Sequence, residues 1–204
     1  NIVRETSLVE CTFLSSSEIA DFRVRYFLSD REIPFAGHPT IATAMSIISR
    51  GKHDKSKLVF ETLAGLIRVE VSCSGDQVKI SMTQPKPKFG FKIEKKVLSQ
   101  IGGIPENSIL CKPQVVSTGL PFPIVLVDSL ETLKKVTIDY RALDTFRATS
   151  SENDLMEPFW VCLSSPRENG ITFSRLLLQS SGRSEDPFTG SATGAMAAYL
   201  WDNG

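Results

Sequence analysis

At 204 residues the chain is long enough for one large domain or two small ones, and 41% hydrophobic against 23% charged residues marks an ordinary globular protein, neither disordered nor fibrous. Lys plus Arg balance Asp plus Glu at 23 each, so no overall field draws nucleic acid or an anionic membrane surface, and a small molecule is the default partner. No apolar run reaches the roughly 18 residues of a membrane span, and the start Asn1-Ile-Val-Arg-Glu5 lacks the basic-then-apolar pattern of a signal peptide. Cys11, Cys73, Cys111 and Cys162 are dispersed without CxxC or Cys/His spacing, which points to reduced, mostly buried thiols in a cytoplasmic protein. There is no initiator Met, and the chain stops just after an apolar helix, so both ends are expected to be truncated.

In chain order, residues 1–6 read as the end of a helix. The apolar strand Leu8-Val-Glu-Cys-Thr-Phe-Leu14 follows and holds one carboxylate, Glu10. Phe22-Arg-Val-Arg-Tyr-Phe-Leu28 is a strand by its aromatic and β-branched content, leading through Ser29-Asp-Arg-Glu32 into a loop. From Ile33 to Ser49 no Asp, Glu, Lys or Arg occurs, so the helix expected over 40–49 is apolar or small on every face and should be buried, with Arg50-Gly51 ending it. Strand-like runs at 57–63, 66–73 and 77–82 are joined by turns at Ala64-Gly65 and Ser74-Gly-Asp76. Ile67, Val69 and Val71 alternate there with Arg68, Glu70 and Ser72, the pattern of an antiparallel sheet with one wet face.

Pro85-Lys-Pro-Lys-Phe-Gly90 is the linker candidate and divides the chain into halves 1–90 and 91–204. An amphipathic helix near Glu94–Ile101 stops at Gly102-Gly103. Strands Val115–Thr118 and Pro123–Val127 flank the turn Gly119-Leu-Pro121, helices follow near Leu130–Val136 and Tyr140–Phe146, and strands are expected at Phe159–Ser164 and Ile171–Gln179. A second charge-free helix runs from Pro187 to Trp201. The fold class is therefore α+β, with two pseudo-symmetric halves, each a mostly antiparallel curled sheet around a central buried helix.

The basis for that symmetry is a repeat. Glu32-Ile-Pro-Phe-Ala-Gly-His-Pro-Thr-Ile-Ala-Thr-Ala44 returns as Glu185-Asp-Pro-Phe-Thr-Gly-Ser-Ala-Thr-Gly-Ala-Met-Ala197, sharing Glu, Pro, Phe, Gly, Thr, Ala and Ala without a gap. Gly37-His-Pro39 and Thr189-Gly-Ser191 place Gly37 and Gly190 beside a first helical turn, whose outward N–H groups at the positive end of the dipole suit a carboxylate. Such residues also make ordinary caps, but capping does not require the same Pro-Phe-x-Gly approach twice. The two loops are expected to face one cleft between the halves.

The polar residues at these loops carry alternatives. His38 is a capping or core histidine, or a site residue. With His53 in a basic turn as the only other histidine, a metal site is disfavoured. Asp186 either forms a turn before Pro187 or faces a ligand. Ser191 has no base in its own segment, and Gly-Ser-Ala-Thr-Gly is not a nucleophile elbow, so it reads as a hydrogen-bond donor. Phosphate-loop and dinucleotide fingerprints are absent. Glu10 sits either at a solvent edge or in a buried position, where desolvation would suit it to acid/base work near neutral pH.

Three segments together resemble the PhzF-like (phenazine biosynthesis-like) family of the diaminopimelate epimerase-type fold. Ser7-Leu-Val-Glu-Cys-Thr-Phe13 is similar to that family's NLSE-(T/S)-x-F segment. Arg25-Tyr-Phe-(x)4-Glu-Ile-Pro-Phe-Ala-Gly-His-Pro-Thr40 is similar to RxFTPxxELPFAGHPT, and Glu185-Asp-Pro-Phe-Thr-Gly-Ser191 to EDPxTGS. Glu61-Thr-Leu-Ala-Gly65 and Ser117-Thr-Gly-Leu-Pro121 add weaker support, and the resemblance covers essentially the whole chain. It implies that Glu10 is the catalytic acid/base, that His38, Asp186 and Ser191 line the site, and that Glu32 and Glu185 are structural neighbours. Val9 replaces the usual Ser, Cys11 stands beside the Glu, and Phe173-Ser-Arg-Leu-Leu-Leu178 lacks the family's aromatic and Pro.

The expected function is that of an isomerase without metal or organic cofactor. Glu10 moves a proton within a small carboxylate-bearing substrate, His38, Asp186 and Ser191 orient it, and Gly37, Thr189 and Gly190 bind it. Neither nucleic acid nor membrane is an expected partner, and a homodimer is left open. Two rivals stand beside this reading. One is an amino-acid racemase or epimerase of the same fold, disfavoured because its two-thiol chemistry needs a cysteine that neither repeat loop contains. The other is a binding protein that keeps the fold without turnover.

Overall fold

The structure is a computed structural model that describes residues 2–6, 8, 10–51, 56–74, 77–152, 155–179, 185–186 and 189–203. His53, the turn tip at Gly75 and Asp76, and Ser7, Val9, Pro187 and Phe188 of the quoted motifs lie outside the described residues. The chain forms two compact units, Asn1–Lys86 and Pro87–Gly204.

In the first unit, helix α1 (Ile2–Thr6) precedes β1 (Cys11–Ser15), β2 (Phe22–Phe27), β3 (Glu32–Ile33), helix α2 (Gly37–Ser49), β4 (Lys57–Thr62), β5 (Gly65–Ser74) and β6 (Gln77–Thr83). The sheet order is β1-β2-β4-β5-β6, with β3 paired to β2. All pairings are antiparallel except β2 with β4. Helix α2 packs against β1 and β6, which are the two ends of that order, so the sheet curls around the helix. Alternation does the rest: Ile67, Val69 and Val71 are buried while Arg68, Glu70 and Ser72 are exposed.

The second unit runs β7 (Lys88–Lys92), α3 (Lys95–Gly102), a 3-10 turn (Glu106–Ser108), β8 (Gln114–Ser117), β9 (Pro121–Val127), α4 (Leu130–Lys135), α5 (Tyr140–Thr149), β10 (Phe159–Cys162), β11 (Phe173–Leu177), β12 (Glu185–Asp186) and α6 (Gly190–Asn203). Its sheet order is β12-β11-β10-β9-β8-β7. Strand β7 begins inside the stretch read as a linker, because Lys88 and Phe89 pair with Ser117 and Val116. Strand β9 begins two residues earlier than expected, and both of its prolines are tolerated: β10 joins only from Ile124, so Pro121 and Pro123 have a single neighbouring strand.

Val115, Val125, Val127, Trp160, Cys162 and Leu177 form one buried cluster with Leu98 and Ile101 of α3, Leu133 of α4 and Leu143 of α5. The alternate residues Ile124, Leu126, Val161 and Leu176 therefore face the other side, where α6 packs on β8 and β9. The helix ends follow their sequence signals. Ser129 accepts from the Thr132 N–H at the start of α4, Asp139 accepts from Arg141 and Ala142 at the start of α5, and Gly103 closes α3 at φ 62.

Two expectations are corrected. The charge-free helices are not buried on every side: Ala42, Met45 and Ser49 make an exposed stripe on α2, and Thr193, Ala197 and Trp201 make one on α6. Met45 is 43% exposed and Trp201 91%. Small residues cost little when wet, so a helix without charges still needs only one covered face. The thiols are not mostly buried either. Only Cys162 is buried, while Cys73 is exposed and Cys11 and Cys111 are intermediate. Cys73 shares its parity with Val71 but lies near the hairpin end, where Ser72 and Ser74 are also exposed.

Candidate functional site

In the first unit, Glu10 lies immediately before β1, not inside it. The antiparallel ladder sets Thr12 opposite Tyr26, and Tyr26 opposite Ile33 on its other side. The Thr12 and Thr43 hydroxyls meet at 2.9 Å and tie β1 to α2. The Thr40 hydroxyl donates to the Ala36 carbonyl at 2.6 Å and therefore accepts from the Tyr26 hydroxyl at 2.5 Å. These bonds anchor the start of α2, where Ala36 is the N-cap residue and supplies no side-chain cap.

On this support Glu10 and His38 come together, with Nε2 of His38 3.1 Å from Oε1 of Glu10. The Glu10 side chain is 11% exposed and that of His38 is 42% exposed. The open question about Glu10 is thereby answered in favour of the interior, beside an imidazole that reaches solvent. Pro39 falls in the first helical turn, where its missing N–H costs nothing. Tyr26 is the other buried titratable group nearby. Burial pushes its phenol up to about 12, the Thr40 hydrogen bond pulls it down by less, and the charge of Glu10 adds to the rise. The phenol thus stays neutral at physiological pH.

The second unit presents its own set. Asp186 is in β12, opposite Leu176 of β11, and accepts from the Thr189 hydroxyl at 2.5 Å. The Thr189 carbonyl accepts from both the N–H and the hydroxyl of Thr193, at 3.0 and 2.8 Å. The same two bonds join Thr40 to Ala36 in the first unit, at 3.3 and 2.6 Å, so the shared threonine of the repeat performs one task twice. Ser191 is buried in the first turn of α6, and its carbonyl accepts from the Thr118 hydroxyl at 3.3 Å. Glu32 and Glu185, which head the repeats, are each paired to an arginine, Arg25 and Arg175.

Sequence reasoning missed Thr12, Tyr26, Thr40, Thr43 and Thr118 as supports. The only signals were the recurrence of Thr at one repeat position and the Ser117-Thr-Gly-Leu-Pro121 segment.

The first unit is thus a curled sheet around a helix whose start meets a sheltered acid. The chain belongs to the phenazine biosynthesis-like protein family, whose model matches residues 1–204. It is 32% identical to an isomerase of Clostridium acetobutylicum over 98% of this chain and 67% of that protein. It is 31% identical to the trans-2,3-dihydro-3-hydroxyanthranilate isomerase of Pseudomonas chlororaphis over 100% of this chain and 68% of that protein. Among solved structures it is similar to a PhzF-family phenazine biosynthesis protein of Bacillus anthracis, with TM-score 0.79 and 28% identity over 98% of this chain and 68% of that one. These relatives place the chain among isomerases that act on small molecules, and among the described residues no helix is long and apolar enough to cross a membrane.

Proposed function

We propose that this chain is a cofactor-independent isomerase that moves a proton between carbons of a small carboxylic acid, with Glu10 as the acid/base. The observation that carries the reading is a carboxyl only 11% exposed, 3.1 Å from the His38 imidazole, beside a helix start that no side chain caps. Glu10 takes the proton from a carbon acidified by a neighbouring unsaturated or carboxylate group and returns it at a second carbon. His38 holds the carboxyl in place and contacts the substrate. Negative charge developing on the substrate is met by backbone N–H groups and the helix dipole at Gly37, and by Thr189 and Gly190 at the start of α6. Asp186 and Ser191 are the polar groups that the second unit offers to substrate substituents. The same reading takes the protein as cytoplasmic.

Turnover is followed by proton NMR on a panel of small carboxylates headed by trans-2,3-dihydro-3-hydroxyanthranilate, the compound in the name of the Pseudomonas relative. Glu10→Gln keeps size and hydrogen bonding and should lower kcat by ~10²–10⁴ with little change in binding. Ser191→Ala should raise KM with a smaller loss of kcat. Undiminished turnover by the Gln variant contradicts the proposal. Thermal stabilisation of the wild-type chain by a panel member that it never converts moves the reading to a binding protein.

A further inference from the structure

The two units share a side-chain device as well as a backbone plan. In the first, Arg25 donates from Nε and Nη2 to the two carboxylate oxygens of Glu32, at 2.8 and 2.7 Å. In the second, Arg175 donates from the same two nitrogens to the two oxygens of Glu185, both at 3.0 Å. The register is identical. Glu32 stands opposite Phe27, two residues after Arg25, and Glu185 stands opposite Leu177, two residues after Arg175. In both units the helix starts five residues after the Glu, at Gly37 and at Gly190.

We infer that Arg25–Glu32 and Arg175–Glu185 are one positioning device used twice, each fork fixing the short strand and loop that deliver a helix start with its polar side chains. The inference rests on the proposed function, in which those side chains serve the substrate.

Three observations carry it. First, β3 and β12 are only two residues long, so backbone pairing alone gives the chain little directional hold as it enters the loop. A bidentate arginine–carboxylate fork is planar and adds that hold. Second, each arginine is itself fixed by a further contact, which readies the fork. The Arg25 guanidinium lies 4.9 Å from the centre of the Phe27 ring, and Arg175 Nη1 donates to the carbonyls of Leu133 and Val136 at the end of α4, at 2.9 and 3.3 Å. Third, the same atoms meet in the same register, at the same distance in sequence from a helix start, in both units. The forks lead directly to the candidate site. Asp186 is the next residue after Glu185, and His38 and Ser191 are each six residues beyond their Glu.

The test uses the whole chain and needs no ligand for its first arm. The chain has two histidines, so a proton–nitrogen imidazole spectrum is simple, and substitution of His53 assigns it. Glu10→Gln provides the reference for a His38 ring that has lost its carboxylate. Arg25→Gln should move the His38 signals toward that reference, Arg25→Lys should move them part of the way, and the exchange Arg25→Glu with Glu32→Arg should return them. In the second arm, Arg175→Gln should lower kcat about tenfold with KM within twofold, and Arg175→Lys should recover only part of the loss, because lysine cannot fork.

If Arg25→Gln fails to fold, the Lys variant and the exchange decide the first arm. His38 signals and turnover like wild type in Arg25→Lys, or no recovery in the exchange variant, overturn the inference. Because the imidazole spectrum does not depend on turnover, failure of the proposed function leaves this result readable. A fork effect without an effect of Glu10→Gln on catalysis would retain the device and discard the chemistry.

Discussion

Removing the Tyr26 hydroxyl should destabilise the protein at neutral pH and have almost no net effect near pH 11. The Tyr26 hydroxyl donates to Thr40 in a fully buried setting, and Tyr26→Phe keeps the ring while deleting that bond. The Thr40 hydroxyl still donates to the Ala36 carbonyl, so no buried donor is left unpaired and the cost should be about 1 kcal/mol. The phenol is raised from 10.0 to about 12, chiefly by burial. The folded state therefore holds this proton more tightly than the unfolded chain, and the stability it contributes is fully present below pH 10 and lost as pH rises toward 12. Linkage across that interval removes about 1.4 kcal/mol by pH 11, close to the cost of the substitution. Tyr199, also raised to about 12, contributes equally to both proteins and cancels in the difference. Urea unfolding at pH 7, 9 and 11, read as the difference between wild type and Tyr26→Phe, tests this. The gap should be flat from pH 7 to 9 and close at 11. A gap that stays constant to pH 11 would refute the assignment of a buried, neutral phenol.

Other expectations follow from single contacts. A Cβ added at Gly102 would overlap the ring of the fully buried Trp160, so Gly102→Ala should cost about 1–3 kcal/mol; an unchanged urea midpoint would contradict this packing. Asp139→Ala removes the side chain that accepts from two N–H groups of α5 and should cost about 1 kcal/mol by the same assay. Thr189→Val deletes the hydroxyl that holds Asp186 and should reduce kcat/KM about tenfold while leaving the fold intact; wild-type kinetics would remove Asp186 from the account.

The fold was largely legible because its signals are periodic or repeated. The alternation from Ile67 to Ser72 gave the wet-faced strand, and the repeat located both helix starts. What escaped depended on contacts between segments far apart in the chain. Helix α2 begins at Gly37, three residues before the expected start, because its first turn accommodates Pro39, whose missing N–H has no helical partner there. Freedom from charge does not amount to burial, as Trp201 shows: composition does not say which side of a helix is covered. The apolar neighbours of Glu10 fit two environments, and only the ladder of β1 on β2 and its pairing with His38 separate them. The Arg175–Glu185 fork spans ten residues and depends on the register of a two-residue strand, which no periodicity announces.

The central claim is that Glu10 carries the proton. The most direct measurement is solvent deuterium incorporation, with turnover run in deuterium oxide and the product read by NMR at the carbon that receives the proton. Because Glu10 meets an imidazole that reaches solvent, its proton exchanges before delivery; wild-type protein should therefore place deuterium there, and Glu10→Gln, with its fold verified by an unchanged melting temperature, should place none above the uncatalysed rate. Deuterium entering that carbon at the wild-type rate in the Gln variant would contradict the account.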